Sequence, residues 1–182
     1  MYGPSARTGG RFPWRSISSS AAPIVPPPRS LAPNLPERYI AAKFYFSASF
    51  PDTPGNRAFI ENLLARLAGQ MPVVVLQQPR TVDDHRAYAP PQHLNLASVG
   101  AVVTPQNNLE VQTAVVAHAQ SFVGTYGGFS YLAPLCGVRA FAFHAADEFY
   151  EHHRHLADLT FSRLHRPPLV VLPTTASAVV PI

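Results

Sequence analysis

The sequence predicts an α/β fold, with a Rossmann-like, mostly parallel sheet and helices on both faces in a single domain. Short apolar runs of strand length alternate with segments in which apolar residues recur at helical spacing. The run at 72–77 is rich in β-branched residues, which is typical of a strand buried on both faces. Turn and capping residues separate the runs. The predicted domain covers residues 39–175, between a segment 1–38 and a tail 176–182.

The first strand–helix unit opens this domain. Residues 39–46 are apolar and aromatic, which predicts a buried strand. After a turn rich in proline and glycine, Asn56 is expected to cap a helix over 57–69, whose apolar residues recur at helical spacing. Gly69 can end this helix, and the strand at 72–77 begins the next unit.

The remainder of the domain repeats the alternation. The further predicted elements are a short strand at 96–99, a helix at 110–120, a strand at 121–124, a helix at 129–136, a strand at 139–144, a helix at 148–164 and a last strand at 169–172. In sheets of this kind, ligands bind outside the carboxyl ends of the strands. A binding site is therefore expected in the loops that lead from strands into helices.

The formal charge of +4 belongs entirely to the first 38 residues. That segment carries five arginines and one acid, Glu37, so its net charge is 5 − 1 = +4, whereas the rest of the chain has nine basic and nine acidic residues. A basic protein often binds nucleic acid, but here the predicted folded part is neutral. We therefore expect no nucleic-acid partner.

Composition also bears on order and location. Residues 1–38 are predicted to be disordered, because eight of the 20 prolines fall there and oppose helices and sheet ladders. No run of about 18 apolar residues occurs, so no transmembrane segment is expected. Cys136 is the single cysteine, which excludes an intrachain disulfide and fits a reducing compartment. A cytoplasmic location is expected, with peripheral membrane attachment as the alternative.

The segment 121–138 gives the strongest indication of a function, because its pattern predicts a strand, a glycine-rich turn and a helix. Gly127 and Gly128 would let the backbone approach a ligand closely. The helix start offers free N–H groups and the positive end of the helix dipole, which suit a phosphate. Thr125 and Ser130 add hydroxyl donors. The spacing does not match a dinucleotide fingerprint, a P-loop or a GxSxG nucleophile turn.

The run FVGTYGGFSYLAPLCGV, preceded by NNLEVQTAVVAHAQ, resembles the carboxyl-terminal, nucleotide-sugar donor-binding domain of GT-B glycosyltransferases. The resemblance implies half of a GT-B architecture, with a nucleotide-sugar donor as partner and an amino-terminal acceptor domain missing from this chain. It implies donor-diphosphate contacts from Thr125, Gly127, Gly128, Phe129, Ser130, Lys43 and Arg57, and nucleoside contacts from Gln106, Asn107 and Glu110. Transfer would be inverting and metal-independent, and neither a cofactor nor a metal is expected.

The chain also departs from that family's pattern. His118 stands eight residues after Glu110, where retaining members have a second acid. Tyr126 replaces the usual aspartate or serine of the sugar-nucleotide loop. The catalytic base stays unassigned, so the alternative is a non-catalytic nucleotide-binding module or a truncated glycosyltransferase fragment. Another doubly wound protein, such as a flavodoxin-like domain or a nucleotide-sugar epimerase, is a weaker alternative. An epimerase should show a YxxxK pair and an early GxxGxxG, and the sequence has neither.

Two other clusters suggest site chemistry. The run at 83–85, Asp-Asp-His, would suit a metal or a general base, although such residues are more often solvated turn residues. Four histidines lie close together in sequence, at His144, His152, His153 and His155. A solvated helix face explains them better than zinc does, because the ligands of a zinc site must converge from defined positions.

Overall fold

The computed structural model describes residues 19–76, 85–94, 96–145 and 151–176. Within these ranges the strands are β1 (Ile40–Lys43), β2 (Tyr45–Phe46), β3 (Val73–Val75), β4 (Arg86–Ala87), β5 (Ala97–Ser98), β6 (Ser121–Thr125), β7 (Arg139–His144) and β8 (Leu169–Pro173). The α-helices are α1 (Pro54–Ala68), α2 (Asn108–Ala117), α3 (Gly128–Leu135) and α4 (Glu151–Arg163). None of the helices in the described ranges is both long and apolar enough to cross a bilayer.

Six strands form one parallel sheet in the order β5-β3-β1-β6-β7-β8. Numbered along the chain within this sheet, the order is 3-2-1-4-5-6, which is that of the Rossmann fold. The direction of winding reverses between β1 and β6, so the topological switch point lies there. The predicted fold class, a Rossmann-like α/β domain, is confirmed.

Alternate side chains of the sheet enter two separate cores. On one face, Ala41 and Phe122 pack with residues of α2, α3 and α4. On the other face, Ile40, Ala42 and Val123 pack with α1. Because both faces of the central strands are covered, β1 and β6 are buried along their whole length, as the apolar runs predict. Each large side chain buried in this way contributes about 1.5–3 kcal/mol relative to leaving it exposed.

The start of α1 differs from the prediction. Thr53, not Asn56, is the N-cap residue, and its hydroxyl accepts a hydrogen bond from the Asn56 N–H at 3.2 Å. Pro54 occupies the first turn, where the missing N–H costs nothing because that group would have no partner inside the helix. The Asn56 side chain instead donates to the Pro51 carbonyl at 2.7 Å. The proline favours an earlier start, because its fixed φ already suits a helix.

Replacing Thr53 by alanine is expected to lower the free energy of unfolding by about 1 kcal/mol, because the Asn56 N–H loses its acceptor. Urea denaturation followed by circular dichroism measures this change. Thr53→Ser keeps the hydroxyl and should stay within about 0.5 kcal/mol of the parent. Equal stability of the alanine variant and the parent would contradict the assignment of this cap.

The predicted strand at 39–46 is split at Phe44. The chain leaves the parallel sheet after β1, and β2 pairs antiparallel with β4, with Tyr45 opposite Ala87 and Phe46 opposite Arg86. Sequence periodicity did not predict this two-stranded ribbon, because each of its strands has only two residues. The ribbon lies beyond the carboxyl end of β1, beside the switch point.

The proline-rich segment 19–38 contains no strand, in keeping with its prolines, yet it lies against the domain. The His118 Nε2 lies 2.9 Å from the Pro27 carbonyl oxygen, and Ala32 is buried in the core beside α2. Residues 19–38 are therefore packed on the domain through a few such contacts. Residues 1–18, the rest of the segment predicted to be disordered, lie outside the described ranges.

Candidate functional site

The switch point is where a Rossmann-type sheet offers a ligand crevice. We call the carboxyl ends of β1 and β6, with the residues that follow them at 43–46 and 125–130, the switch-point site. The two strands pair in parallel, and Lys43 lies opposite Gly124. A Cβ at Gly124 would lie 2.2 Å from the Lys43 carbonyl oxygen, so the close approach of the strands requires glycine there.

Thr125 ties the ribbon strand β2 to β6. Its hydroxyl accepts a hydrogen bond from the Tyr45 N–H at 3.1 Å and donates one to the Tyr45 carbonyl at 3.0 Å. The residue is 1% exposed. The Thr125 hydroxyl is therefore already engaged within the protein, and it positions the ribbon rather than facing solvent.

Gly127 and Ser130 hold the first turn of α3 in shape. The Ser130 Oγ accepts from the Gly127 N–H at 3.1 Å and donates to the Gly127 carbonyl at 2.6 Å. The Tyr45 hydroxyl donates to the Tyr126 carbonyl at 3.1 Å and would lie 1.8 Å from a Cβ at Gly127. Gly127 is thus required for the close approach of the Tyr45 side chain, and its own N–H is internally bonded.

Gly128 and Phe129 present the next two N–H groups of this helix. Neither group has an acceptor within the part of the chain that the structure describes. Gly128 is exposed, and a Cβ placed on it would meet no heavy atom within 4 Å. Two unpaired donors therefore lie at the positive end of a helix dipole, and the space beside Gly128 is open.

Lys43 lies directly beside this helix start. Its ammonium is 3.9 Å from the centroid of the Phe129 ring and donates to the Gln112 Oε1 at 2.5 Å. Gln112 is fully buried in α2, and its Nε2 donates to the Asn108 Oδ1. An ammonium has three donors, and Gln112 is its single hydrogen-bond acceptor among the described residues. Lys43, Phe129 and Gly128 are therefore brought together as a positive site.

Burial lowers the pKa of Lys43 to about 8 from its ordinary value of 10.5. Lys43 is 3% exposed, so water stabilises its charge poorly. A nearby anion would restore the charged form, because an opposite charge within a few ångströms favours ionisation. Gln112 was not identified from the sequence; a glutamine between the buried Val111 and Val115 of this helix is the signal that points to a buried polar partner.

Arg57 lies away from this cluster, on α1. Its guanidinium makes two bonds to the Asp52 carboxylate, at 2.5 and 2.7 Å, and lies 4.9 Å from the Phe46 ring centroid. Arg86 of β4 also binds Asp52. The predicted phosphate contact of Arg57 would compete with an existing ion pair, so the structure does not bring Arg57 to the helix start.

The predicted nucleoside residues precede or begin α2. Gln106 and Glu110 are exposed, whereas both the oxygen and the nitrogen of the Asn107 side-chain amide are hydrogen-bonded within the protein. The Asn107 Oδ1 accepts from the Thr104 N–H at 2.7 Å, and its Nδ2 donates to the Val102 carbonyl at 3.0 Å. Asn107 therefore stabilises the loop, and Gln106 and Glu110 are the members of this set with exposed side chains.

The remaining clusters add little to the site. Asp83 and Asp84 lie outside the described residues, while the His85 ring lies edge-on to the Tyr45 ring with centroids 4.8 Å apart. His153 and His155 are exposed on α4. Among the described residues, no group of three or more histidine, cysteine, aspartate or glutamate side chains is arranged to hold a metal ion.

The Tyr126 side chain packs against α3. Its hydroxyl accepts a hydrogen bond from the Tyr131 hydroxyl, and the two rings meet edge-on with centroids 5.6 Å apart. Burial raises the pKa of Tyr126. This tyrosine is therefore buried between the loop and α3.

Comparison with known proteins leaves the family open. No protein-family model matches this chain, and neither a search of curated proteins nor one of solved structures gave a match. Any assignment of function therefore rests on the residues and the geometry described above.

Proposed function

We propose that the switch-point site binds the diphosphate of a nucleotide sugar, and that the chain is the donor-binding portion of a GT-B type glycosyltransferase. One observation carries this proposal. The N–H groups of Gly128 and Phe129 are unpaired within the described structure and lie beside the buried ammonium of Lys43. Amides at a helix start and a nearby cation are the groups that stabilise a diphosphate.

The proposed chemistry follows from where charge develops. When a sugar leaves a nucleotide, negative charge builds up on the departing diphosphate, and preorganised N–H donors stabilise it. Lys43 would add a positive charge whose strength depends on its protonation. Thr125, Gly127 and Ser130 would contribute indirectly, because their hydrogen bonds within the protein hold the loop that presents the two free amides.

A non-catalytic nucleotide-binding module is the second candidate. One observation favours it: the Lys43 ammonium and the Thr125 hydroxyl, the side chains at the site with the most obvious chemistry, are bonded within the protein. Release of nucleoside diphosphate from a nucleotide sugar, measured with the full chain, tests the transferase directly. Turnover supports the transferase and contradicts the module, whereas binding without turnover fits both the module and a donor-binding portion without its acceptor domain.

Replacing Gly128 by aspartate is expected to abolish nucleotide binding while leaving the fold intact. The new carboxylate would occupy the open space in front of the two amides and repel a diphosphate. An acid in the first turn of a helix is favourable to the helix dipole, so the variant should unfold no earlier than the parent. Thermal shift with UDP, GDP, ADP and CMP measures this; a ligand at a hundred times its dissociation constant stabilises by about 2.7 kcal/mol.

Gly128→Asn is the matched control, because asparagine has nearly the same size and no charge. It should keep a measurable shift with whichever nucleotide stabilises the parent. A full shift in Gly128→Asp, or no shift of the parent with any of these nucleotides, would contradict the proposed function.

A further inference from the structure

A cavity of about 550 Å³ opens at the opposite edge of the sheet, around the amino ends of the strands. We call it the amino-edge cavity. Arg38 precedes β1, Ser121 begins β6 and Arg139 begins β7, so the parallel register brings all three to one place. Gln120 adds a further polar side chain and Met71 an apolar one. None of the described residues that line this cavity is acidic.

A third arginine lies against the wall of the amino-edge cavity. Gly137, which lines it, has a φ of 87°, and a Cβ there would lie 3.1 Å from the Arg166 Nη1. The Arg166 Nε is buried and has no hydrogen-bond acceptor in the described structure. A buried unpaired donor of this kind is rare and costly.

Among the arginines that the structure describes, those without a partner cluster at this cavity. Nine arginines fall within the described ranges, and most of them have an assigned contact. Those with contacts are Arg29, Arg57, Arg66, Arg86, Arg154 and Arg163. The three guanidinium groups without a hydrogen-bond or ion-pair partner in the described structure are those of Arg38, Arg139 and Arg166. Arg38 and Arg139 line the amino-edge cavity, and Arg166 lies behind Gly137 in its wall.

Helix capping does not account for these arginines. Helix carboxyl ends point toward this edge, and basic side chains often bond to their last carbonyls. Here the end of α3 is capped by its own backbone, because the Gly137 N–H donates to the Pro134 carbonyl at 2.8 Å and the Val138 N–H to the Ala133 carbonyl at 2.9 Å. The exposed guanidinium groups of Arg38 and Arg139 are therefore left available to an external anion.

We propose that the amino-edge cavity binds a phosphorylated small molecule. Arg38 and Arg139 hold the phosphate oxygens, since planar guanidinium groups bind phosphate through paired hydrogen bonds, and Arg166 adds charge from behind Gly137. The cavity falls within the range of small-molecule sites, and Met71, Pro167 and Pro168 supply apolar surface for the organic part. This site is independent of the switch-point site, because the two lie at opposite edges of the sheet.

Isothermal titration of the full chain with pyrophosphate, at constant ionic strength, tests the proposal. Arg38→Gln and Arg139→Gln should each weaken binding about tenfold, and the double variant on the order of a hundredfold, because each removes a charged hydrogen-bond donor. Both arginines are exposed, so the variants should unfold at the parent temperature. Arg139→Lys keeps the charge without the paired donors and should fall between the parent and Arg139→Gln.

Two further variants make the result decisive. Arg154→Gln removes an exposed arginine elsewhere, whose described ion pair is with Asp158, and should leave pyrophosphate binding unchanged. All of these variants are titrated in the Gly128→Asp background, which blocks the switch-point site, so that the pyrophosphate binding measured is that of the amino-edge cavity. Binding within twofold of the parent in the Arg38→Gln, Arg139→Gln double variant overturns the proposal. So does loss of all binding in Gly128→Asp, which would place the anion at the other edge, and so does absence of saturable binding by the parent.

Discussion

Gly124→Ala is expected to destabilise the domain by more than about 3 kcal/mol, enough to unfold a marginally stable protein. The added methyl would lie 2.2 Å from the Lys43 carbonyl oxygen and 3.0 Å from the Phe122 ring. A backbone oxygen cannot rotate away as a side chain can, so β1 and β6 would have to separate. These two strands form the centre of the sheet, and their separation disturbs both cores.

Gly55→Ala is the matched control for that experiment. Gly55 lies in the first turn of α1, where the nearest atom to an added Cβ is the Thr53 Oγ1 at 4.0 Å. Alanine is the better helix former, so this variant should be as stable as the parent or more stable by about 0.5–1 kcal/mol. Denaturant unfolding of both variants measures the contrast. A Gly124→Ala protein within about 1 kcal/mol of the parent would mean that the strands do not approach as described.

Lys43→Met is expected to remove a rise of stability with pH. In the folded chain the pKa of Lys43 is about 8, below its ordinary value of 10.5. Between these two values the unfolded chain binds more protons than the folded chain, so stability increases as the pH rises. From pH 7.5 to 9.5 Lys43 should add about 2 kcal/mol to the stability of the parent, a gain that Lys43→Met lacks, whereas the raised pKa of the Cys136 thiol opposes it equally in both proteins.

The pH window for this measurement has an upper limit. Burial raises the pKa of Tyr39 and Tyr45 to about 12. The protein therefore loses stability above about pH 10, where these tyrosines ionise in the unfolded chain but not in the folded chain. Arg57→Met, which removes an exposed cation from α1, should keep the slope of the parent. Identical slopes in Lys43→Met and the parent would show that Lys43 is not a buried ammonium that ionises in this range.

The same titration bears on the proposed ligand. A bound diphosphate favours the charged form of Lys43, so affinity for a nucleoside diphosphate should fall as the pH rises above 8. Lys43→Met should bind more weakly at pH 7 and show little of this pH dependence. Titration calorimetry at pH 7 and pH 9 measures both effects. If the affinity of the parent does not change with pH, Lys43 does not contribute to ligand binding.

Sequence periodicity determined the architecture. The apolar runs and the helical spacing predict six strands and four helices in an alternating order, and the structure has them within a few residues of the predicted bounds. Periodicity suffices here because strands buried on both faces of a parallel sheet are nearly continuous runs of apolar residues, and such runs are visible in the local sequence. The same local chemistry pointed to the loop after β6, where Gly128 indeed leaves open space at a helix start.

Only the tertiary structure decided which groups of that loop are available. The Thr125 hydroxyl bonds to the Tyr45 backbone, 80 residues away, and Lys43 bonds to Gln112, 69 residues away. Residue type and spacing cannot show that a donor is already paired by a partner so distant in sequence. The sequence by itself determined the fold class and the loop, whereas packing decided which amides are free and that Lys43 is a buried, weakly solvated cation.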